Sequence, residues 1–82
     1  MNRCRHDIIN DMLGALSVDS RRITDLCMAG NVPVDRGKGI VEALEKYGLI
    51  IHAEEAGEID YRITDRGYEW LGLFRMLRKV LP

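Results

Sequence analysis

The spacing of apolar residues divides the chain into three helical segments, a hairpin and a fourth helix. In the first segment Ile8, Met12 and Leu16 recur at every fourth residue, which places their side chains on one face of an α-helix. The same helical spacing continues through the next two segments, as far as the glycine at position 48. The pattern therefore predicts helices over about residues 4–16, 20–29 and 33–47.

Two apolar stretches after the third helix predict a β-hairpin. Gly48 ends the helix, because glycine adopts the left-handed backbone conformation there without a steric penalty. The stretch LII at 49–51 begins one strand, and IDYRI at 59–63 alternates between apolar and polar residues, as a half-buried strand does. The polar stretch EEAGE at 54–58 is interpreted as the hairpin tip. We call this hairpin, residues 49–63, the wing.

Polar residues and glycines mark the boundaries between these elements. Asp19 or Ser20 is expected to cap the second helix, and Thr64 is expected to cap the last one. A short turn containing Gly30 and Asn31 joins the second and third helices, which is the spacing of a helix-turn-helix. The sequence thus predicts one mostly helical α+β domain over residues 1–82: a winged helix-turn-helix with three helices, a two-stranded wing and a C-terminal helix.

The C-terminal helix, about residues 65–80, is apolar over roughly 220° of its circumference. One small domain cannot bury so wide a face, so part of it is expected to pack on a second copy of the chain. The predicted dimer interface consists of Trp70, Leu73, Phe74, Leu77 and Leu81. The alternative is that the additional apolar residues are simply half exposed.

Composition and charge limit the classes of function. The chain has 82 residues, a hydrophobic content of 46% and a net charge of −1, which indicates a small globular domain without the basic excess of many nucleic-acid binders. No apolar run is long enough to cross a membrane, and the first residues lack the apolar core of a signal peptide. A soluble, cytoplasmic protein is therefore expected.

Cysteine, histidine and motif content argue against catalysis or a cofactor. Cys27 lies on the apolar stripe of the second helix and is predicted to be a buried thiol, whereas Cys4 is expected to be exposed. A Cys4–Cys27 disulfide remains an alternative, as does a metal site of Cys4, His6 and His52, although that spacing matches no common zinc pattern. There is no glycine-rich phosphate loop or nucleophile elbow. We expect neither an enzyme nor a bound cofactor.

Two short motifs resemble those of a known group of proteins. The GLI at 48–50 and the YRITDRG at 61–67, followed by Leu71, are similar to segments of the small archaeal winged-helix DNA-binding proteins. The resemblance covers about residues 8–81 and implies a homodimeric transcription regulator or nucleoid-associated factor that binds double-stranded DNA. It also implies dimerisation through the C-terminal helix, here as a compact helix pair because that helix is short.

The DNA-binding interpretation assigns roles to particular side chains. A helix-turn-helix places its third helix in the major groove. There Arg36 or Lys38 would donate to guanine, and Asp35 or Glu42 would accept from cytosine. Arginines near the starts of the first two helices are candidates for phosphate contacts: Arg3, Arg5, Arg21 and Arg22. The alternative is that the third helix merely exposes a solvated face of mixed charge.

The wing carries an excess of negative charge. Its acidic residues are Glu54, Glu55, Glu58 and Asp60, and a duplex would repel them. The wing is therefore expected to point away from DNA or to meet a basic protein surface. The rival function is accordingly a protein–protein interaction module whose contact surface is the acidic wing.

Overall fold

Four helices and one two-stranded antiparallel sheet make up the fold in the computed structural model, which describes residues 5–80. The elements are α1 (Arg5–Val18), α2 (Ile23–Gly30), α3 (Val34–Lys46), β1 (Ile50–Glu55), β2 (Glu58–Ile63) and α4 (Asp65–Val80). This is the winged-helix fold predicted from the sequence. Within residues 5–80, no helix is long and apolar enough to cross a membrane.

A single hydrophobic core holds these elements together. Its buried side chains come from all four helices and from β1: Ile8, Met12, Leu13, Leu16, Leu26, Ile40, Val41, Leu44, Ile50 and Leu71. Full burial of one such side chain stabilises the fold by about 1.5–3 kcal/mol. The core therefore fixes both α3 and the base of the wing against α1, α2 and α4.

An asparagine takes the left-handed backbone position in the turn between α2 and α3. Asn31 has a φ of 55°, and the N–H of Val32 donates to the carbonyl of Cys27 at 3.0 Å, as in a Schellman helix end. Gly30 serves packing instead, because a Cβ there would lie 3.0 Å from Cγ2 of Ile8. The close packing of α2 on α1 thus depends on Gly30.

The segment before α2 is extended and pairs with the wing. The N–H of Arg21 donates to the carbonyl of Tyr61 at 3.1 Å, and the N–H of Tyr61 donates to the carbonyl of Arg21 at 2.7 Å. Because these two bonds hold Arg21 in an isolated β-bridge, α2 begins at Ile23 and not near residue 20 as predicted. The β-bridge couples the wing to the start of α2.

The predicted cap of α2 was also wrong. The residue before α2 is Arg22, and no side chain in the described range caps this helix. Asp19 instead accepts a hydrogen bond from the N–H of Ser20 at 2.8 Å. Helix α1 also continues to Val18, beyond its predicted end near residue 16.

One threonine connects the end of α3 to the start of α4. Gly48 has a φ of 77°, and the N–H of Leu49 donates to the carbonyl of Leu44 at 2.9 Å, which completes a Schellman end of α3. The hydroxyl of Thr64 donates to the carbonyl of Gly48 at 2.6 Å and accepts from the N–H of Gly67 at 3.1 Å. The predicted roles of Gly48 and Thr64 are both confirmed.

The wing is a regular hairpin with a two-residue turn. Ala56 and Gly57 have φ values of 53° and 79°, so both central residues are left-handed, as in a type I′ turn. The strands extend to Glu55 and Glu58, which pair directly. Two like charges are therefore placed opposite one another, next to the turn.

Cys27 is a buried thiol, as predicted. Its exposed fraction is 1%; burial raises the pKa of the thiol, and the nearby charge of Lys38 lowers it to a smaller extent. Arg3, Cys4 and Leu81 lie outside the described residues, and the disulfide and metal alternatives that involve Cys4 fall there too. Within residues 5–80, no group of three or more potential metal ligands occurs.

Candidate nucleic-acid interface

Helix α3 buries one face and exposes the other. Its buried face consists of Gly37, Ile40, Val41 and Leu44. The exposed residues include Asp35, Arg36, Lys38, Gly39 and Glu42. At Gly39, no atom of the described chain lies within 4 Å of the position a Cβ would occupy. The outer face of α3 is therefore open, and its backbone is accessible at Gly39.

The position of α3 depends on close contact with α2. A Cβ at Gly37 would overlap Sγ of Cys27 and would lie 3.3 Å from Cγ2 of Val32. Because Gly37 has no side chain, the two helices of the helix-turn-helix approach one another closely. The inner face of α3 therefore packs against α2, and its outer face projects from the domain.

Basic residues lie along one flank of α3. Arg5 from α1 lines a shallow pocket together with Arg36 and Gly39, and it also lines a second pocket with Lys46 and Arg66. The sequence identified Arg5 and Arg36 separately, and the structure brings them together. Lys46 and Arg66 were not among the predicted site residues, because the pocket that they share with Arg5 joins α1, α3 and α4 and leaves no local sequence signal.

The opposite flank of α3 faces the wing and is more acidic. A cleft of about 520 Å³ lies between α3, the start of α2 and the wing. Its charged lining residues are Arg22, Lys38, Glu42, Glu45 and Glu58. The flank toward α1 is therefore basic, whereas the flank toward the wing combines three carboxylates with two basic groups.

Arg22 is bound by the wing. Its guanidinium forms an ion pair with Glu58, and its Nε lies 3.7 Å from Oδ1 of Asp60. Both carboxylates belong to β2, which the backbone bonds of Arg21 hold next to the start of α2. The arginine that the sequence assigns to phosphate is thus already matched by two carboxylates of the same chain.

Arg21, the neighbouring candidate, is less open to solvent. Its side chain is half-buried, and its Nε is buried without a hydrogen-bond partner in the described part of the chain. Its backbone is fixed by Tyr61. Arg5, Arg36 and Lys38 are by contrast exposed.

A second polar contact holds the wing against α3. Nδ1 of His52 on β1 donates to Oε2 of Glu45 on α3, and the His52 ring lies 6.1 Å from the ring of Tyr61. Burial raises the pKa of Tyr61, and the negative charges of Glu45 and Glu42 raise it further. The carboxylates on this flank of α3 therefore disfavour ionisation of the Tyr61 phenol.

Helix α4 leaves most of its apolar surface uncovered. Of its residues, only Gly67 and Leu71 are buried. The side chains on the side away from the core are exposed by more than half: Leu73 59%, Met76 59%, Leu77 53% and Val80 68%. We call these four residues the outer strip of α4.

The predicted dimer residues fall into two groups. Leu73 and Leu77 belong to the exposed outer strip, whereas Trp70 and Phe74 are half-buried. The Trp70 ring stacks on Phe74 at 5.0 Å and on His6 at 6.3 Å between ring centroids. Trp70 also packs against the core, so it contributes to the fold of a single chain.

Comparison with known proteins agrees with this architecture. A family model described as winged helix-turn-helix matches residues 2–81. A search of curated protein sequences gives no match. Among solved structures, the chain is similar to Sso10a-2, a DNA-binding protein from Sulfolobus solfataricus, with a TM-score of 0.84 and 19% identity over 95% of this chain and 81% of that one.

Two further structures share the fold. MepR, a transcription regulator of the Staphylococcus aureus multidrug efflux pump MepA, aligns with a TM-score of 0.75 and 19% identity over 87% of this chain and 56% of MepR. The homodimeric winged helix-turn-helix DNA-binding domain Mb0332 from Mycobacterium bovis aligns with a TM-score of 0.67 and 22% identity, over 89% of this chain and 66% of that fragment. At these identities the likeness concerns the fold.

Proposed function

The chain belongs to the winged helix-turn-helix family, and from that membership we propose that it binds double-stranded DNA as a homodimeric transcription regulator or nucleoid-associated factor. One observation carries the proposal: Arg5 of α1 and Arg36 of α3 line one shallow pocket together with Gly39, whose backbone is open on the exposed side of α3. A basic cluster beside an exposed recognition helix suits a phosphate backbone flanking the major groove. The role is binding and requires no catalytic group.

In this proposal α3 enters the major groove. Arg36 or Lys38 donates to the O6 and N7 acceptors of guanine, and Glu42 accepts from the amino group of cytosine. Gly39 allows the helix backbone to approach the base edges, because it presents no side chain on the outer face. Specific readout by these few side chains would account for binding by a chain whose net charge is only −1.

Phosphate contacts come from the basic flank and from the start of α2. Arg5 is near the first turn of α1, where free N–H groups also favour an anion, and Lys46 and Arg66 extend the positive surface beyond it. Arg21 and Arg22 remain proposed phosphate ligands at the start of α2. For Arg22, contact with DNA requires release from Glu58 and Asp60.

The outer strip of α4 is the proposed dimer interface. Four adjacent apolar side chains exposed by more than half form the kind of patch that soluble proteins cover by association. Pairing of the outer strip with its copy about a two-fold axis would set the distance between the two α3 helices, and hence the spacing of DNA half-sites. Met76 and Val80 thereby join Leu73 and Leu77 in the proposed interface.

A second function is favoured by the outer surface of the wing. On the face turned away from the cleft, Glu55 is exposed together with the apolar side chain of Ile51, whereas Glu54 and the exposed Ile59 lie on the opposite face. Mixed apolar and acidic character suits a basic protein surface better than it suits DNA. If the chain binds no DNA, the wing is the proposed contact for a protein partner.

A matched pair of arginine variants tests the main proposal. Arg36→Ala should weaken binding to a mixed pool of duplex DNA at least tenfold, measured by fluorescence anisotropy, and should relax sequence preference. Arg62→Ala removes the same charge from β2, in a pocket lined by the end of α1 and by Tyr68, away from α3, and should change the affinity less than twofold. Equal losses for the two variants would contradict the proposed docking of α3.

A further inference from the structure

The ion pair between Arg22 and the wing occupies the guanidinium that would bind a phosphate of DNA. Arg22 precedes the first turn of α2 and has its guanidinium on Glu58 and near Asp60. A guanidinium binds carboxylate and phosphate with the same planar, charge-assisted geometry. The same guanidinium face cannot serve both partners at once.

We propose that β2 acts as an internal competitor of DNA, with the carboxylates of Glu58 and Asp60 standing where a backbone phosphate would otherwise bind Arg22. The inference rests on the proposed DNA binding and adds a function to the acidic wing: it sets the affinity by masking one phosphate ligand. The acidic residues of β2 therefore weaken DNA binding through Arg22, in addition to their general repulsion of the duplex.

The backbone makes this pairing a built feature of the fold. The two hydrogen bonds between Arg21 and Tyr61 fix β2 beside the start of α2, so Arg22 and Asp60, the residues adjoining that β-bridge, are held close together. Such a constraint reduces the entropy lost when the side chains pair. The wing presents carboxylates to Arg22 whenever the domain is folded.

The pair is also weak enough for DNA to displace. The side chains of Arg22 and Glu58 are each 53% exposed, and exposed ion pairs are stabilised only slightly because water and salt screen them. Their removal should therefore change DNA affinity by roughly two- to fivefold. An effect of this size adjusts binding without abolishing it.

The experiment compares two isosteric double variants of the wing. Glu58→Gln with Asp60→Asn removes the carboxylates that contact Arg22, whereas Glu54→Gln with Glu55→Gln removes two charges from the same hairpin without touching Arg22. Both are measured in the wild-type chain and in the Arg22→Ala chain, by anisotropy on one duplex pool at about 50 mM salt. Thermal unfolding followed by circular dichroism confirms that each variant is folded.

The competitor model predicts a coupling that general repulsion does not. The Glu58 and Asp60 double variant should bind roughly two- to fivefold more tightly than wild type, and most of this gain should disappear in the Arg22→Ala chain. Any gain from the Glu54 and Glu55 double variant should be the same in both chains. A gain from Glu58 and Asp60 that persists unchanged without Arg22 would overturn the inference.

The same data separate this inference from the proposed function. If the wild type binds duplex DNA and the coupling to Arg22 is absent, only the competitor model fails. If neither the wild type nor any variant binds at low salt, DNA binding itself fails, and the competitor model fails with it.

Discussion

Gly37 of α3 lies directly against Cys27 of α2, with no space for even a methyl group between them. A Cβ at Gly37 would overlap Sγ of Cys27 and lie 3.3 Å from its Cβ. Gly37→Ala should therefore destabilise the fold by about 1–3 kcal/mol through overpacking, measured by urea unfolding. Cys27→Ala removes the clashing sulfur, so it should offset part of this loss in the double variant.

Gly39→Ala is the matched control on the same helix. The position is exposed, and no described atom lies within 4 Å of the new methyl, so the variant should be more stable by about 0.5–1 kcal/mol because alanine favours the helix. An equal change in stability for the two glycine variants would show that the contact with Cys27 does not determine the result.

Loss of the Thr64 hydroxyl should loosen the junction of α3 with α4. Thr64→Val removes the bonds to the carbonyl of Gly48 and from the N–H of Gly67, which should cost about 1–2 kcal/mol of stability in urea unfolding. Thr64→Ser keeps the hydroxyl and should retain most of that stability. An equal loss for serine and valine would show that the hydroxyl is not what determines the stability of this junction.

The fold was predictable where the signal is local. Helical spacing ends at Gly48, and Thr64 begins α4, so both boundaries can be read from single residues and their neighbours. The start of α2 could not be predicted in this way, because Arg21 is extended by hydrogen bonds to Tyr61 in the wing. Only the tertiary structure brings those two segments together.

In the candidate site, too, the local features could be predicted from the sequence and the tertiary contacts could not. The residue types and spacing of α3 identify Arg36, Lys38 and Glu42 as its outward groups, and the structure places all three at the surface. The neighbours of the arginines have no sequence signal: Arg5 lines the same pocket as Arg36, and Arg22 forms an ion pair with Glu58. These contacts join residues that lie far apart along the chain.

A charge in the outer strip of α4 should separate the proposed dimer. Leu77→Glu places a carboxylate in the interface without disturbing the core, since Leu77 is 53% exposed, and it should yield monomers in sedimentation velocity. Lys79→Glu puts the same group on the exposed polar side of α4 and should leave the dimer intact. Trp70→Glu is less informative, because Trp70 also packs on the core of its own chain.

An unchanged mass for Leu77→Glu would place any dimer interface elsewhere. The same result with Leu73→Glu would exclude the outer strip altogether. Folding of each variant is checked by its helical circular dichroism, so loss of the dimer is distinguished from loss of the domain.

The stability of the domain should fall at high pH through Tyr61. Burial, followed by the charges of Glu45 and Glu42, raises the pKa of this phenol in the folded chain. The folded protein therefore holds the proton at a pH where the unfolded chain, titrating near about pH 10, has lost it. Stability from this source is complete below about pH 10 and is lost as the pH rises through the folded pKa.

The measurement is urea unfolding at a series of alkaline pH values. Tyr61→Phe should flatten the decline relative to wild type, because the shifted phenol is gone. Tyr68→Phe removes an exposed tyrosine from α4 and should leave the decline in place. An identical pH profile for wild type and Tyr61→Phe would show that the environment of Tyr61 does not penalise its ionisation.

Binding of the wild-type chain to duplex DNA as a function of salt tests the central claim most directly. If Arg5, Lys46, Arg66 and their copies in a second subunit neutralise about six phosphates, the affinity should fall roughly a thousandfold between about 50 and about 200 mM salt. Fluorescence anisotropy on a mixed duplex pool gives both affinities. Absence of binding at about 50 mM salt would contradict the account and make the acidic wing the leading interaction surface.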